Sequence, residues 1–132
     1  MATVDYELVT VIDEANPVEG DLRVVGRKLS LIRGGDAVAQ ECNVVVKWWL
    51  AEWFLDTSRG VPYREQLFRG DVDEVVVDRV LRASAFDFVP DLAPHPVLKV
   101  SIDTAARIGT VNVTGRTLDG AAIELDTTIG GA

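Results

Sequence analysis

Glu52 to Phe68 reads EWFLDTSRGVPYREQLF, and three kinds of signal meet in it. Trp53, Phe54 and Leu55 form a short apolar run that closes the preceding segment. Asp56-Thr57-Ser58-Arg59-Gly60 spells a turn, because Asp accepts bonds from the backbone N–H groups just after it and Gly takes positive φ. Pro62 fixes its own φ and biases Val61 towards extended backbone. Tyr63 to Phe68 then predicts a short helix or tight coil with Tyr63, Leu67 and Phe68 facing inward. The chain is expected to reverse here around its largest side chains, and each buried Trp N–H or Tyr O–H needs a partner.

Upstream of this stretch, Asp36 reads as the N-cap of a helix from Ala37 to Leu50. Val38, Cys42, Val45, Val46 and Trp49 recur at helical spacing and make one apolar stripe, although Val44-Val45-Val46 is stiff. Before it, Asp21–Val25 and Lys28–Ile32 read as two strands joined by Gly26-Arg27. Leu22, Val24, Leu29 and Leu31 alternate with Arg23, Lys28 and Ser30, which predicts one covered face. The segment from Glu14 to Gly20 breaks regular structure. The first eight residues read as a mobile start, with a strand through Tyr6 and Leu8 as the alternative.

Downstream, Asp71 with Glu74 resembles a capping box and opens a second helix ending near Ala85. Val72, Val75, Val76, Val80 and Ala83 are its expected apolar face. Pro90, Pro94 and Pro96 exclude further helix. Residues 97–103, 107–118 and 121–129 alternate as strands, and Asp119-Gly120 marks a hairpin between the last two. The pattern predicts an α+β fold: an N-terminal hairpin, two main helices with a short helix between them, and a C-terminal three-stranded antiparallel meander with the helices on one face. The expected division is an extension over 1–19, one domain over 20–129 and a tail over 130–132.

The chain has 132 residues, enough for one domain, and 48% of them are hydrophobic. A net charge of -8 argues against a nucleic-acid partner. No apolar run is long enough for a membrane span, and the acidic start lacks a secretory signal, so use without export is expected. Cys42 is the single cysteine and reads as a buried apolar residue; with one Cys and one His, no zinc site and no cofactor are expected.

No catalytic motif is specific. His95, between Pro94 and Pro96, has no partner at a known spacing, and Gly34-Gly35 and Gly130-Gly131 lack the spacing and Lys of a phosphate loop. Glu52 with Asp56, or Glu65 with Asp71, would be carboxylate pairs for glycoside hydrolysis only at a fixed separation that spacing cannot give. Trp48, Trp49, Trp53 and Phe54 read mainly as core. Adjacent Trp48 and Trp49 cannot face the same way on a helix, so one of them is a candidate interface anchor. The last strand is more informative. Asp126-Thr127-Thr128-Ile129 has little of the Lys, Pro or bulge protection that edges usually carry. Either it frays, or a strand from another chain adds there.

Gly20–Gly26, Asp36–Gln40, Glu52–Asp56 and Gly60–Tyr63 together resemble the baseplate wedge proteins of contractile-tailed phages, sheath initiators sometimes called lysozyme-like. The match is nearest to the Mu-like branch, with its core gEWFLDxxxGvPY, and covers residues 20 to 126. One departure stands out: many relatives carry Glu-Pro-Arg before the final strands, whereas this chain has Phe88-Val89-Pro90-Asp91.

The resemblance implies a structural, non-enzymatic virion protein assembled in the host cytoplasm. It would join the inner baseplate to the first sheath ring and template sheath strands, in six copies. Sheath, other wedge proteins and the tube or hub would be its partners. Trp53, Phe54, Leu55, Asp56, Gly60, Pro62 and Tyr63 would form its structural motif. Trp48, Arg59, Arg64, Glu65, Ile123, Leu125 and Thr127 would lie at its interfaces. A tail muramidase and an adaptor at a non-contractile tip are the rival readings.

Overall fold

Alternating apolar residues in the last third build the largest element. In the computed structural model, which describes residues 4–70 and 73–130, β5 (Val97–Asp103), β6 (Ile108–Arg116) and β7 (Ala122–Gly130) form an antiparallel sheet in that order. The register runs from Val97 opposite Thr114 to Asp103 opposite Ile108, and from Ile108 opposite Gly130 to Arg116 opposite Ala122. Side chains alternate across a strand, so Val111, Val113, Ile123, Thr127 and Ile129 are buried on one face. Lys99, Asn112 and Asp126 line up across the other, where Asn112 Nδ2 donates to Asp126 Oδ1 at 2.8 Å. The hairpin at Asp119-Gly120 is longer than two residues. Thr117 organises it: its hydroxyl donates to Asp119 and accepts from the Ala121 N–H, and Gly120 takes φ 94°.

Two helices cover the apolar face, α1 (Gly35–Val46) against β7 and α2 (Glu74–Ser84) against β5. This is the α+β arrangement expected from the pattern. The core joins Val38, Cys42 and Val46 of α1 to Val77, Leu81 and Ala85, the aromatic turn and the inner sheet face.

Several sequence expectations change. Gly34, not Asp36, caps α1; its backbone at φ 62°, ψ -132° suits glycine, and Asp36 lies within the first turn, where its charge still favours the helix N-terminus. The helix ends at Val46 rather than Leu50, so Trp48 and Trp49 lie beyond it. Asp73, not Asp71, caps α2, its carboxylate accepting from the Val75 N–H at 2.8 Å. Asp71 and Val72 lie outside the described residues. Starting at Glu74, α2 buries Val77 and Leu81, while Val75 and Val76 are exposed and Ala83 lies outside the core.

The N-terminal segment is a strand at its start: β1 (Val4–Tyr6) pairs antiparallel with β4 (Leu31–Arg33). β2 (Val24–Val25) and β3 (Lys28–Leu29) make the expected hairpin, with Gly26 and Arg27 both at positive φ. Gln40 of α1 holds this lobe in place: its Oε1 accepts from the Leu8 N–H, and its Nε2 donates to the Tyr6 carbonyl. Asn16 is buried and pairs with both backbone groups of Val24. The predicted covered face is not covered. Leu22, Val24, Leu29 and Leu31 are exposed, and the strands here are only two or three residues long.

Candidate partner-binding surfaces

After α1 the chain turns back on itself. The Leu50 N–H donates to the Val61 carbonyl at 3.0 Å, and the Val61 N–H to the Trp48 carbonyl at 2.7 Å, a short parallel bridge. Gly60 permits the closure: at φ 113°, a Cβ there would stand 2.5 Å from the Trp49 carbonyl oxygen. The loop between is tied internally. Glu52 accepts the Trp49 N–H, and Asp56 accepts the backbone and side-chain donors of Ser58. Those Ser58 bonds hold the Asp56 carboxyl below the usual carboxylate range.

At the tip of this tied loop stand the residues expected to close the preceding segment inward. They do the opposite: Phe54 is 82% exposed and Leu55 67%, with Trp53 also exposed. The loop's own backbone bonds hold it away from the core. The second half of the motif does face inward. Tyr63–Leu67 is a π-helical turn, with the Phe68 N–H donating to the Tyr63 carbonyl at 2.7 Å. Pro62, Tyr63, Leu67 and Phe68 are buried. The Tyr63 hydroxyl donates to the Val46 carbonyl, satisfying the C-terminus of α1, and burial pushes its pKa up.

Trp49 turns to this core, against Tyr63 and Phe68, with Arg64 over its outer ring face. Trp48 turns the other way, edge-on to Trp53 at 5.5 Å. Arg59 stacks between Trp48 and Phe88, 4.9 and 4.2 Å from their ring centroids, and links the loop to the 3-10 turn Phe86–Phe88. Glu65 is exposed on the π-helical turn. Glu65 and Asp71 cannot be compared, since Asp71 lies outside the described residues. No group of His, Cys, Asp and Glu among the described residues is placed to hold a metal ion.

In the sheet, Ile123 and Thr127 are buried and Leu125 packs against the core, so these three side chains support β7 from beneath. What β7 offers outward is its main chain and the exposed row Glu124, Asp126 and Thr128. It is an edge strand, paired on one side with β6 alone among the described residues. Sequence reasoning missed the exposed loop tip, for which the tight Asp56-to-Gly60 turn was the available signal.

A search of curated proteins finds no match. The family profile described as contractile injection system sheath initiator matches residues 12–120. That span takes in β2 to β4, both helices, the tied loop and the strands β5 and β6, and leaves out β1 and β7. The chain therefore belongs to the contractile injection system sheath initiator family, whose role in a phage tail is structural.

Proposed function

We propose that this protein is a baseplate wedge subunit, of the Mu-like kind, that joins the inner baseplate to the first sheath ring and starts sheath polymerisation by accepting a strand at the edge of its sheet. The observation that carries the reading is β7, nine residues long with one side unpaired among the described residues and no Lys or Pro along it. An edge of this kind is a template for another chain's backbone. The exposed Trp53-Phe54-Leu55 tip, with Trp48 and Arg59 beside it, is in this reading the surface offered to neighbouring baseplate proteins, and Arg64 and Glu65 on the π-helical turn are further contact residues. Apolar residues on a tied loop bind at little ordering cost, which suits an anchor. In this reading the protein is not an enzyme, acts within the tail baseplate of the virion and is present in six copies, one per wedge.

Co-purification with the sheath protein of the same particle, followed by electron microscopy, tests the reading. A ring of density capping one end of the sheath is expected. A protein that remains a monomer and ignores sheath would overturn it.

A further inference from the structure

A cleft of about 780 Å³ lies between the N-terminal lobe, the outer side of α1 and β7. Leu8, Val44 and Leu125 are among its apolar lining residues, and Glu7, Glu19 and Asp36 are among its acidic ones. Lys47 is the single cation among its described lining residues. The sheet reaches this cleft through β7 alone: Leu125 lines it, and no residue of β5 or β6 does. Leu125 lies on the inner face of the edge strand, so the cleft is the space into which that face continues past the edge. Asn43 lines it too, and its Oδ1 is an acceptor shielded from water and without a partner among the described residues.

A strand added beside β7 would place alternate side chains on the two faces of the sheet. Those beside Leu125, on the inner face, would enter the cleft and meet its apolar and acidic lining. Those on the other face would meet the exposed Glu124 and Asp126. Both faces along this edge are thus acidic, and opposite charges in cross-strand positions attract.

Resting on the strand-addition reading above, we infer that this cleft seats the inward side chains of the added sheath segment. The segment is one that alternates apolar with Lys or Arg residues, and the cleft directs it to β7 rather than β5. The β5 edge is preceded by Pro96 and carries both Lys99 and Asp103 on its exposed face, against the two carboxylates Glu124 and Asp126 on β7. A basic segment finds there no net attractive charge, because Lys99 offsets Asp103.

The test uses the full chain and the purified sheath protein of the same particle. Hydrogen exchange on capture should slow at β7 amides and stay unchanged at β5. Glu19→Lys with Glu124→Lys, two exposed positions that make no side-chain hydrogen bond or ion pair in the fold, should weaken capture about tenfold at low salt and flatten its salt dependence. The same pair changed to Gln should fall between. Glu74→Lys with Asp87→Lys, an equal charge change away from the cleft, should capture like the parent. Slowed exchange at β5 instead of β7, or Lys variants at the cleft that behave like the distant pair, would overturn this inference and leave strand addition standing. A parent protein that captures no sheath would overturn both.

Discussion

At the scale of single residues, Gly60 holds the loop closed. Its φ of 113° is strained for any side chain, and the space a Cβ needs is taken by the Trp49 carbonyl. Gly60→Ala should therefore destabilise the fold by about 2–4 kcal/mol in urea titration, combining backbone strain with a clash. A cost within experimental error would show that the bridge between Trp48 and Val61 is not needed. Cys42 makes a different kind of statement. Burial raises its thiol from 9.0 to about 12, with Glu41 adding repulsion. The folded state favours the neutral thiol, so its contribution is fully present below pH 9 and is lost as pH rises from 9 towards 12. Stability should fall across that window. Below it, a thiol reagent should modify Cys42 only under denaturing conditions; rapid labelling of the native protein would refute its burial.

At the scale of elements, helix α2 provides a sharp comparison, because its expected and observed faces differ. Leu81 is buried and Val75 is exposed. Leu81→Ala should cost about 2–5 kcal/mol by removing core contacts, and Val75→Ala should stay within about 0.5 kcal/mol. Equal effects in thermal melts would mean that the observed face is wrong. The difference shows what was legible in the sequence. Strand alternation in β5, β6 and β7 has a period of two and is bounded by turn residues, so type, order and pairing followed directly. In α2 four valines fall within six positions, so apolar side chains point to most sides of the helix and their spacing singles out no face. The N-terminal hairpin was legible from Gly26-Arg27, but its exposure was not. Alternation tells which residues share a face and is silent on whether anything lies against that face. The same limit hid the orientation of Trp53, Phe54 and Leu55. Their apolarity predicts burial somewhere, and their exposure on a loop tied by the Glu52 and Asp56 side chains shows that the place is not this chain's own core.

At the scale of the whole molecule, the two proposed surfaces are carried by different elements. The edge of β7 and its cleft lie on the α1 side of the sheet, while the aromatic tip projects from the loop that follows α1. A subunit that receives sheath at one surface and is anchored at another needs a rigid body between them. The shared core supplies that body: α1 packs on β7, and its last turn is fastened to the aromatic turn by Tyr63. It follows that the two surfaces should be separable by mutation. Phe54→Ser with Leu55→Ser removes exposed apolar surface and no core contact, so stability should change by no more than about 0.5 kcal/mol. In the proposed role the variant should still capture sheath protein in solution, yet fail to enter baseplates in a tail-assembly assay. If it enters baseplates at parental levels, the tip is not the anchor. Loss of sheath capture as well would show that the tip and the β7 edge belong to one continuous interface, which would unseat the two-surface arrangement.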